Sequence, residues 1–348
     1  GMTAKKINLV NLAHAITPNY RQVDWMGAYT AAAGRAYIYS DNLPPRMQGM
    51  ALVTEPTMKL IALMDVREDG AGYVAHDGFN LVASTDEWMS PVFAEVGPDG
   101  AVWFADFQNF IIQHNPIPSV GHGGYKAKGG VGGAHVNTLR DHERGRIYRV
   151  VWNEAKKPAI TSLKGASDAE LVRALGSDNP LWRLKAQQML VEGGRKGVVP
   201  SLRKGIVENS NNIGSIHALW VLHGLGELDQ ETHRSALLAG DRGLRRNAVR
   251  ALAIDKASQS LLFGSGTLSD PDPVTRLAAM IKLSEFPTSA EIVTLVGGMG
   301  SDPELIKDEW LAEAARILSQ KHNPFKEGAN VLANSGFEET TGTAPAAW

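Results

Sequence analysis

The strongest constraint on what this chain can fold into is a period of thirty-odd residues in its second half. Alanines stand at Ala186, Ala218, Ala248, Ala279 and Ala315, separated by 32, 30, 31 and 36 residues. Each lies in an apolar segment of helical length: Trp182–Val191, Ile213–Leu225, Leu244–Ile254, Val274–Phe286 and Glu309–Leu318. Shorter helical segments alternate with them, at Asp168–Leu175, Val198–Val207, Thr232–Leu238, Ser258–Leu262 and Ala290–Val296. A helix pair cannot bury its apolar face alone, so pairs repeated at this period stack into an α-solenoid, here of HEAT type. A small alanine at one position per repeat lets neighbouring helices approach closely. Cap and turn signals such as Ser177-Asp178-Asn179-Pro180 and Ser269-Asp270-Pro271-Asp272-Pro273 separate the pairs. Arg183, Arg245, Arg246, Arg250 and Arg276 fall near repeat starts, where a structural ladder bridging to the aspartates of adjacent turns is expected.

Residues 1–154 have a different texture, with glycine, aromatic residues and short β-like runs. Candidate strands are Ala36–Tyr39, Met50–Thr54, Leu60–Val66, Leu81–Ala83, Val92–Val96, Val102–Ala105 and Arg146–Val151. Gly97-Pro98-Asp99-Gly100 reads as a turn joining two of them: proline presets one φ angle, and the closing glycine tolerates left-handed geometry. A propeller blade takes four strands and roughly 40 residues, so this region holds three to four blades. An incomplete ring leaves an apolar face that calls for a protein partner, a missing propeller segment or self-association.

Several segments of this region, in order, resemble a bacterial family described as membrane-bound dehydrogenases. They are Gly34–Pro44, Glu55-Pro56, Ser84–Trp88, the Gly97 turn, Asp106–His114, Gly124–Gly129 and Arg140–Arg149, and the likeness covers about residues 18–150. Members of that family join a six-bladed propeller, related to quinone-dependent sugar dehydrogenases, to helical repeats and a c-type haem domain. The resemblance implies late propeller blades, a periplasmic or cell-surface location, and pyrroloquinoline quinone and calcium as the cofactors of a complete ring. The fold class expected is therefore multidomain β plus α, a partial β-propeller followed by an α-solenoid. Its parts are a propeller-like region at 1–154, a linker at 155–166, helical repeats at 167–320 and a tail at 321–348.

Composition removes other classes. Lysine plus arginine number 35 against 37 acidic residues, so nothing favours a nucleic-acid surface. No apolar run approaches the roughly 20 residues of a spanning helix, and residues 1–16 lack the pattern of a signal peptide. Gly1 before Met2 resembles a cloning scar. With no cysteine, disulfides, thiolate metal sites and covalent c-type haem attachment are excluded within this chain. The glycine-rich stretch between Asn115 and Val136 lacks phosphate-loop spacing and reads as a long surface loop. In the tail, Asn330–Glu339 resembles the opening strand of carbohydrate-binding jelly-roll modules, which implies a glycan-binding domain downstream.

Candidate cleft residues are Glu55, Asp86, Asp106, Gln108, Asn109 and His114; Asp106 and His114 flank the aromatic strand end Phe107–Phe110. Asp77, Glu87, Asp141, His122, His135 and His142 complete the polar inventory. A metal site would pair His114 with His122 or His135 and an aspartate, but the spacing is loose. Glu55 and Asp86 are expected to cap turns or to hydrogen-bond backbone amides within blades. Nothing has the spacing of a Ser-His-Asp hydrolase. In the enzymes that the resemblance brings in, lysine and arginine grip the cofactor's acidic groups and a histidine removes the substrate proton. Where those enzymes place paired arginines this chain has Met89-Ser90-Pro91-Val92, and where they place a lysine it has about Thr57. The cationic grip is unmatched. Two readings follow: a part, inactive by itself and with no cofactor of its own, of an extracytoplasmic sugar or alcohol dehydrogenase; or a non-catalytic propeller–solenoid module that binds a protein or glycan.

Overall fold

The computed structural model describes residues 16–17, 29, 32–110, 141, 143–208, 210–299 and 302–322, together with the backbone of 340–341 and 344–345. The chain divides into two compact units, Gly1–Ala251 and Leu252–Trp348.

The first unit begins with a four-stranded antiparallel meander, β1 (Arg35–Tyr37), β2 (Ala51–Glu55), β3 (Leu60–Asp69) and β4 (Gly72–Ala83), paired in chain order. A three-stranded antiparallel sheet follows, β5 (Pro91–Val96), β6 (Val102–Asp106) and β7 (Arg146–Val150). One apolar core serves both sheets, with Ile38, Leu52, Ile61 and Leu63 from the first facing Ala94, Val96, Val102 and Phe104 from the second. The sheets meet closely at Gly34, whose N–H donates to Val92 O at 2.8 Å. A Cβ built there would lie 2.5 Å from the Phe93 Cα, so only glycine fits.

The Gly97 turn forms as expected. Gly100 N–H donates to Gly97 O at 3.0 Å, and Gly100 takes φ 79°. Asp99 Oδ1 accepts from Ala101 N at 3.1 Å and from Trp103 Nε1 at 2.9 Å, which locks the turn to β6.

β4 is much longer than the expected Leu81–Ala83. Its first part, Gly-Tyr-Val-Ala-His-Asp-Gly-Phe-Asn, shows no apolar alternation because it lies on the sheet edge with most of its residues exposed. The distal part of the β3–β4 hairpin is largely exposed.

Helices of the first unit are α1 (Asp168–Ala174), α2 (Pro180–Glu192), α3 (Val199–Glu208), α4 (Ile213–Leu225), α5 (Gln230–Leu237) and α6 (Arg242–Arg250). α2 packs on α4 and α4 on α6, while α1, α3 and α5 pack against them as partners. Five of the six starts are marked by a side-chain cap: Ser167 and Glu170 form a reciprocal capping box at α1, and Asn179, Asn212, Asp229 and Asp241 each accept a backbone N–H at α2, α4, α5 and α6. The second unit repeats the pattern with α7 (Lys256–Gly264), α8 (Pro273–Glu285), α9 (Ala290–Met299), α10 (Pro303–Ile306) and α11 (Glu309–Lys321). Ala186, Ala218, Ala248, Ala279 and Ala315 are all buried, as their spacing requires. The α6 segment ends at Arg250 rather than at Ile254, which is exposed.

Three of the five arginines act as inter-helix braces. Arg183 Nη1 donates to the carbonyls of Ser177 and Asp178, and Arg245 Nη1 to those of Ala239 and Gly240. Arg276 donates from Nε to Leu268 O at 3.1 Å and from Nη2 to Asp302 Oδ2 at 3.0 Å. Arg183 and Arg245 thus hold turn carbonyls, and Arg276 holds both a carbonyl and an aspartate.

Sheets and helices join within the first unit through the Gly97 turn. Asn179 Nδ2 donates to Gly97 O at 2.9 Å, and Trp182 Nε1 donates to Pro98 O at 3.0 Å. Further along, the β3–β4 arm meets α6, where Arg242 Nη1 lies 2.7 Å from Glu68 Oε2 and Arg246 Nη1 donates to the Tyr73 hydroxyl at 3.1 Å. Among the described residues no helix is long and apolar enough to cross a membrane.

Replacing the fully buried Ala248 by leucine inserts three carbons between close-packed helices. Ala248→Leu is expected to lose about 1–3 kcal/mol in urea unfolding, while Leu238→Ala on the exposed surface changes stability by less than about 0.5 kcal/mol.

Candidate functional site

The polar residues singled out above converge on a buried lysine. β2 and β3 are joined by Pro56-Thr57-Met58-Lys59, and although hairpin turns ordinarily face water, all four residues are buried. Lys59, the last of them, adopts φ 61°, a left-handed conformation uncommon for a residue with a Cβ. Its side chain is 1% exposed. The ammonium donates to Ser90 Oγ at 3.1 Å and to Asn109 O at 3.2 Å. Ser90 Oγ in turn donates to Asn109 O at 2.6 Å.

Asp106, at the end of β6, holds the next layer. Oδ1 accepts from Ser90 N at 2.7 Å and Gln108 N at 2.8 Å, and Oδ2 accepts from Arg146 Nε at 2.8 Å. Arg146 opens β7 and reaches outward as well, placing Nη2 3.0 Å from Asp86 Oδ2. Asp86 caps its own turn by accepting Trp88 N at 3.0 Å. The chain of contacts therefore runs from half-exposed Asp86 and Arg146 inward through Asp106 and Ser90 to Lys59.

Of the predicted residues, Asp86, Asp106, Gln108 and Asn109 are thus brought together. Asn109 Nδ2 donates to Asp141 O at 2.8 Å, while its Oδ1 is buried without a partner among the described residues. Gln108 contributes its backbone, at φ 50°, rather than its amide. Glu55 lies on the far side of the buried turn, accepting Ala32 N at 2.9 Å and Thr57 N at 3.2 Å, the turn-capping role expected of it. His114 lies outside the described residues, as do His122, His135 and His142. Among the described residues no three His, Cys, Asp or Glu side chains are grouped to hold a metal.

The residues that sequence reasoning missed are Lys59, Ser90 and Arg146. Lys59 stands two positions beyond Thr57, where the resemblance would place a lysine, and the register of the β2–β3 turn carries it inward. Ser90 lies within the segment where the resemblance would place arginines, and Arg146 comes from a strand forty residues beyond Asp106 in sequence. Only pairing of β6 with β7 brings the last two together, with Asp106 opposite Arg146 in the ladder.

Burial pulls the Lys59 amine down from its ordinary 10.5 to about 8, against the opposing pull of Asp106, Asp86, Glu55 and Glu87. An amine that titrates near 8 beside a serine hydroxyl has the elements of a base-activated nucleophile. Here the hydroxyl proton is directed at a carbonyl oxygen, and Ser90 is 0% exposed, so no substrate atom reaches it in this arrangement. A polyanionic quinone needs unspent cations, and both cations of the cluster are already bonded to the chain's own groups. This cluster, as bonded, does not fit that cofactor.

Because its folded value lies below its unfolded one, Lys59 binds a proton equally in both states below pH 8. Between about pH 8 and 10.5 the unfolded chain holds more protons, so folding stability rises with pH. Compared with Lys59→Met in urea unfolding, the wild-type chain should gain on the order of 3 kcal/mol across that window; a difference that does not vary with pH would contradict it. Asp106→Ala strands the buried donors and should lose about 3–5 kcal/mol, against less than about 1 kcal/mol for Asp86→Ala at the surface.

Residues 3–154 match a family described as "Domain of unknown function (DUF7133)". No curated protein matches the chain.

Proposed function

We propose that this chain is a non-catalytic scaffold: the late blades of a β-propeller joined to a HEAT-type α-solenoid, within a parent related to extracytoplasmic quinone-dependent sugar or alcohol dehydrogenases. The observation that carries the non-catalytic reading is the commitment of both cations: Lys59 is buried against Ser90 and Asn109, and Arg146 is paired with Asp106 and Asp86. The cluster acts as a clamp that fixes the ends of β3, β5, β6 and β7 to one another. Two antiparallel meanders sharing one core support the blade reading, and helix pairs at a thirty-residue period with buried alanines support the HEAT reading. The relation to dehydrogenases rests on the ordered resemblance over about residues 18–150, and any redox step, haem and extracytoplasmic address belong to the parent on that ground alone. The exposed apolar side chains of edge strand β4, Tyr73, Val74 and Phe79, support a further blade or a protein partner as the neighbour of this region.

The test is a titration of the chain with pyrroloquinoline quinone, with and without calcium, read by heat unfolding. A ligand at a hundred times its dissociation constant stabilises by about 2.7 kcal/mol, so binding is easily seen. No shift is expected. A saturable rise that Lys59→Met or Arg146→Gln abolishes would restore the redox site to this chain and overturn the scaffold reading.

A further inference from the structure

The three-stranded sheet has two faces, and the core takes one of them. Ala94, Val96, Val102 and Phe104 point into the apolar interior shared with the first sheet. Side chains alternate along a strand, so the other face carries Phe93 and Glu95 of β5, Trp103 and Ala105 of β6, and Ile147 and Arg149 of β7. The ladder sets these six in two rows. Phe93 lies opposite Ala105 and Ala105 opposite Ile147; Glu95 lies opposite Trp103 and Trp103 opposite Arg149.

The first row is apolar and open to water. Phe93 is 47% exposed, and Ile147, at 75%, is the most exposed large apolar side chain among the described residues. A single exposed apolar residue is ordinary, but two large ones joined through an alanine across three strands make a continuous patch. The second row carries opposite charges at its two ends. Glu95 is exposed, and its carboxylate makes no ion pair or hydrogen bond among the described residues. Arg149 lies 5.7 Å over the Trp103 ring and places Nη1 3.3 Å from Asp99 Oδ2, yet half of its side chain still reaches water.

This pattern is complementary to itself. β5 and β7 both run antiparallel to β6, so they are parallel to each other. A two-fold axis along β6, between two copies laid face to face, keeps strand direction and places β5 of one copy over β7 of the other at the same level. Phe93 then meets Ile147 of the second copy, Glu95 meets Arg149 of the second copy, and Ala105 lies on the axis against its own counterpart. Each off-axis contact is made twice, as an isologous interface requires. An axis running across the strands instead would lay the apolar row on the charged one, so the register selects the first arrangement. Sheets packed face to face stand about 10 Å apart with strand directions within about 30°, which side chains of this size fill.

We propose that the outer face of β5, β6 and β7 is a self-association surface whose partner is the same face of a second copy of this chain, related by a two-fold axis along β6. This surface is separate from the β4 edge, and it rests on the register of the ladder rather than on the blade reading.

The experiment measures the mass of the intact chain by sedimentation equilibrium from about 1 µM to about 1 mM. A reversible monomer–dimer equilibrium is expected. Ile147→Asp, at a side chain already in water, should weaken the dimer by at least about tenfold while leaving the thermal unfolding of the monomer unchanged. Glu95→Lys, which turns the paired charges into like ones, should weaken it by about threefold. The chain has no cysteine, so one introduced thiol is unique. Ala105→Cys, on the axis, should be joined to its counterpart by a bismaleimide with a reach of about 10 Å, whereas Leu238→Cys on the exposed helical surface should not. A monomer at every concentration, the result expected if this face receives a different sheet or protein, would overturn the proposal. A dimer that Ile147→Asp leaves intact, or that Ala105→Cys does not link, uses another surface and overturns it equally. Should Ile147→Asp not fold, the Ala105→Cys cross-link decides.

Discussion

The β region depends on one buried carboxylate. Asp106 accepts two backbone N–H groups and a guanidinium, so its charge is fully compensated without water. Through those bonds the end of β6 is tied to the start of β5 and the start of β7. Lys59, bonded to Ser90 and Asn109, extends the tie to the start of β3. A hairpin turn buried against these groups would otherwise leave polar atoms unsatisfied, and the left-handed backbone at Lys59 and at Gln108 is the local strain that the network sustains. The same bonds that stabilise the cluster commit the Lys59 ammonium and the Arg146 guanidinium to the chain's own groups.

The Gly97 turn carries a second dependence. Its carbonyls face the start of α2, where Asn179 both caps the helix and donates to Gly97, and Trp182 donates to Pro98. One residue thus serves helix initiation and the attachment of helices to sheets. The turn's geometry matters for more than the hairpin, since Gly100 at φ 79° also packs its missing Cβ against Ser40 and Asn42. The Arg183 brace lies one turn further along α2, beside the same junction.

Legibility in the sequence followed the range of the interactions. The helices were readable almost to their ends, since buried alanines at a fixed period, proline at first positions and Asp or Asn caps are all local signals. The strands with apolar runs, such as Leu60–Leu63, were readable for the same reason. The start of β4 was not, because an edge strand exposed to solvent carries no alternation. Asp106 and Asn109 could be named as polar residues beside an aromatic strand end. Their partners Lys59 and Arg146 could not, since they come from other strands and only the ladder brings them close.

Local chemistry in the chain alone therefore determined the division into a β-rich first part and a repetitive helical second part, the Gly97 turn, and the exclusion of disulfide and haem attachment. Tertiary structure alone decided that a lysine is buried in a turn, that an aspartate and an arginine forty residues apart close a clamp, and that Arg276 adds Asp302 to the turn carbonyl it braces. The reason is physical. Helix periodicity and capping act over a few residues and leave a mark on neighbouring letters, whereas the fate of a buried charge depends on which distant groups the packing delivers to it.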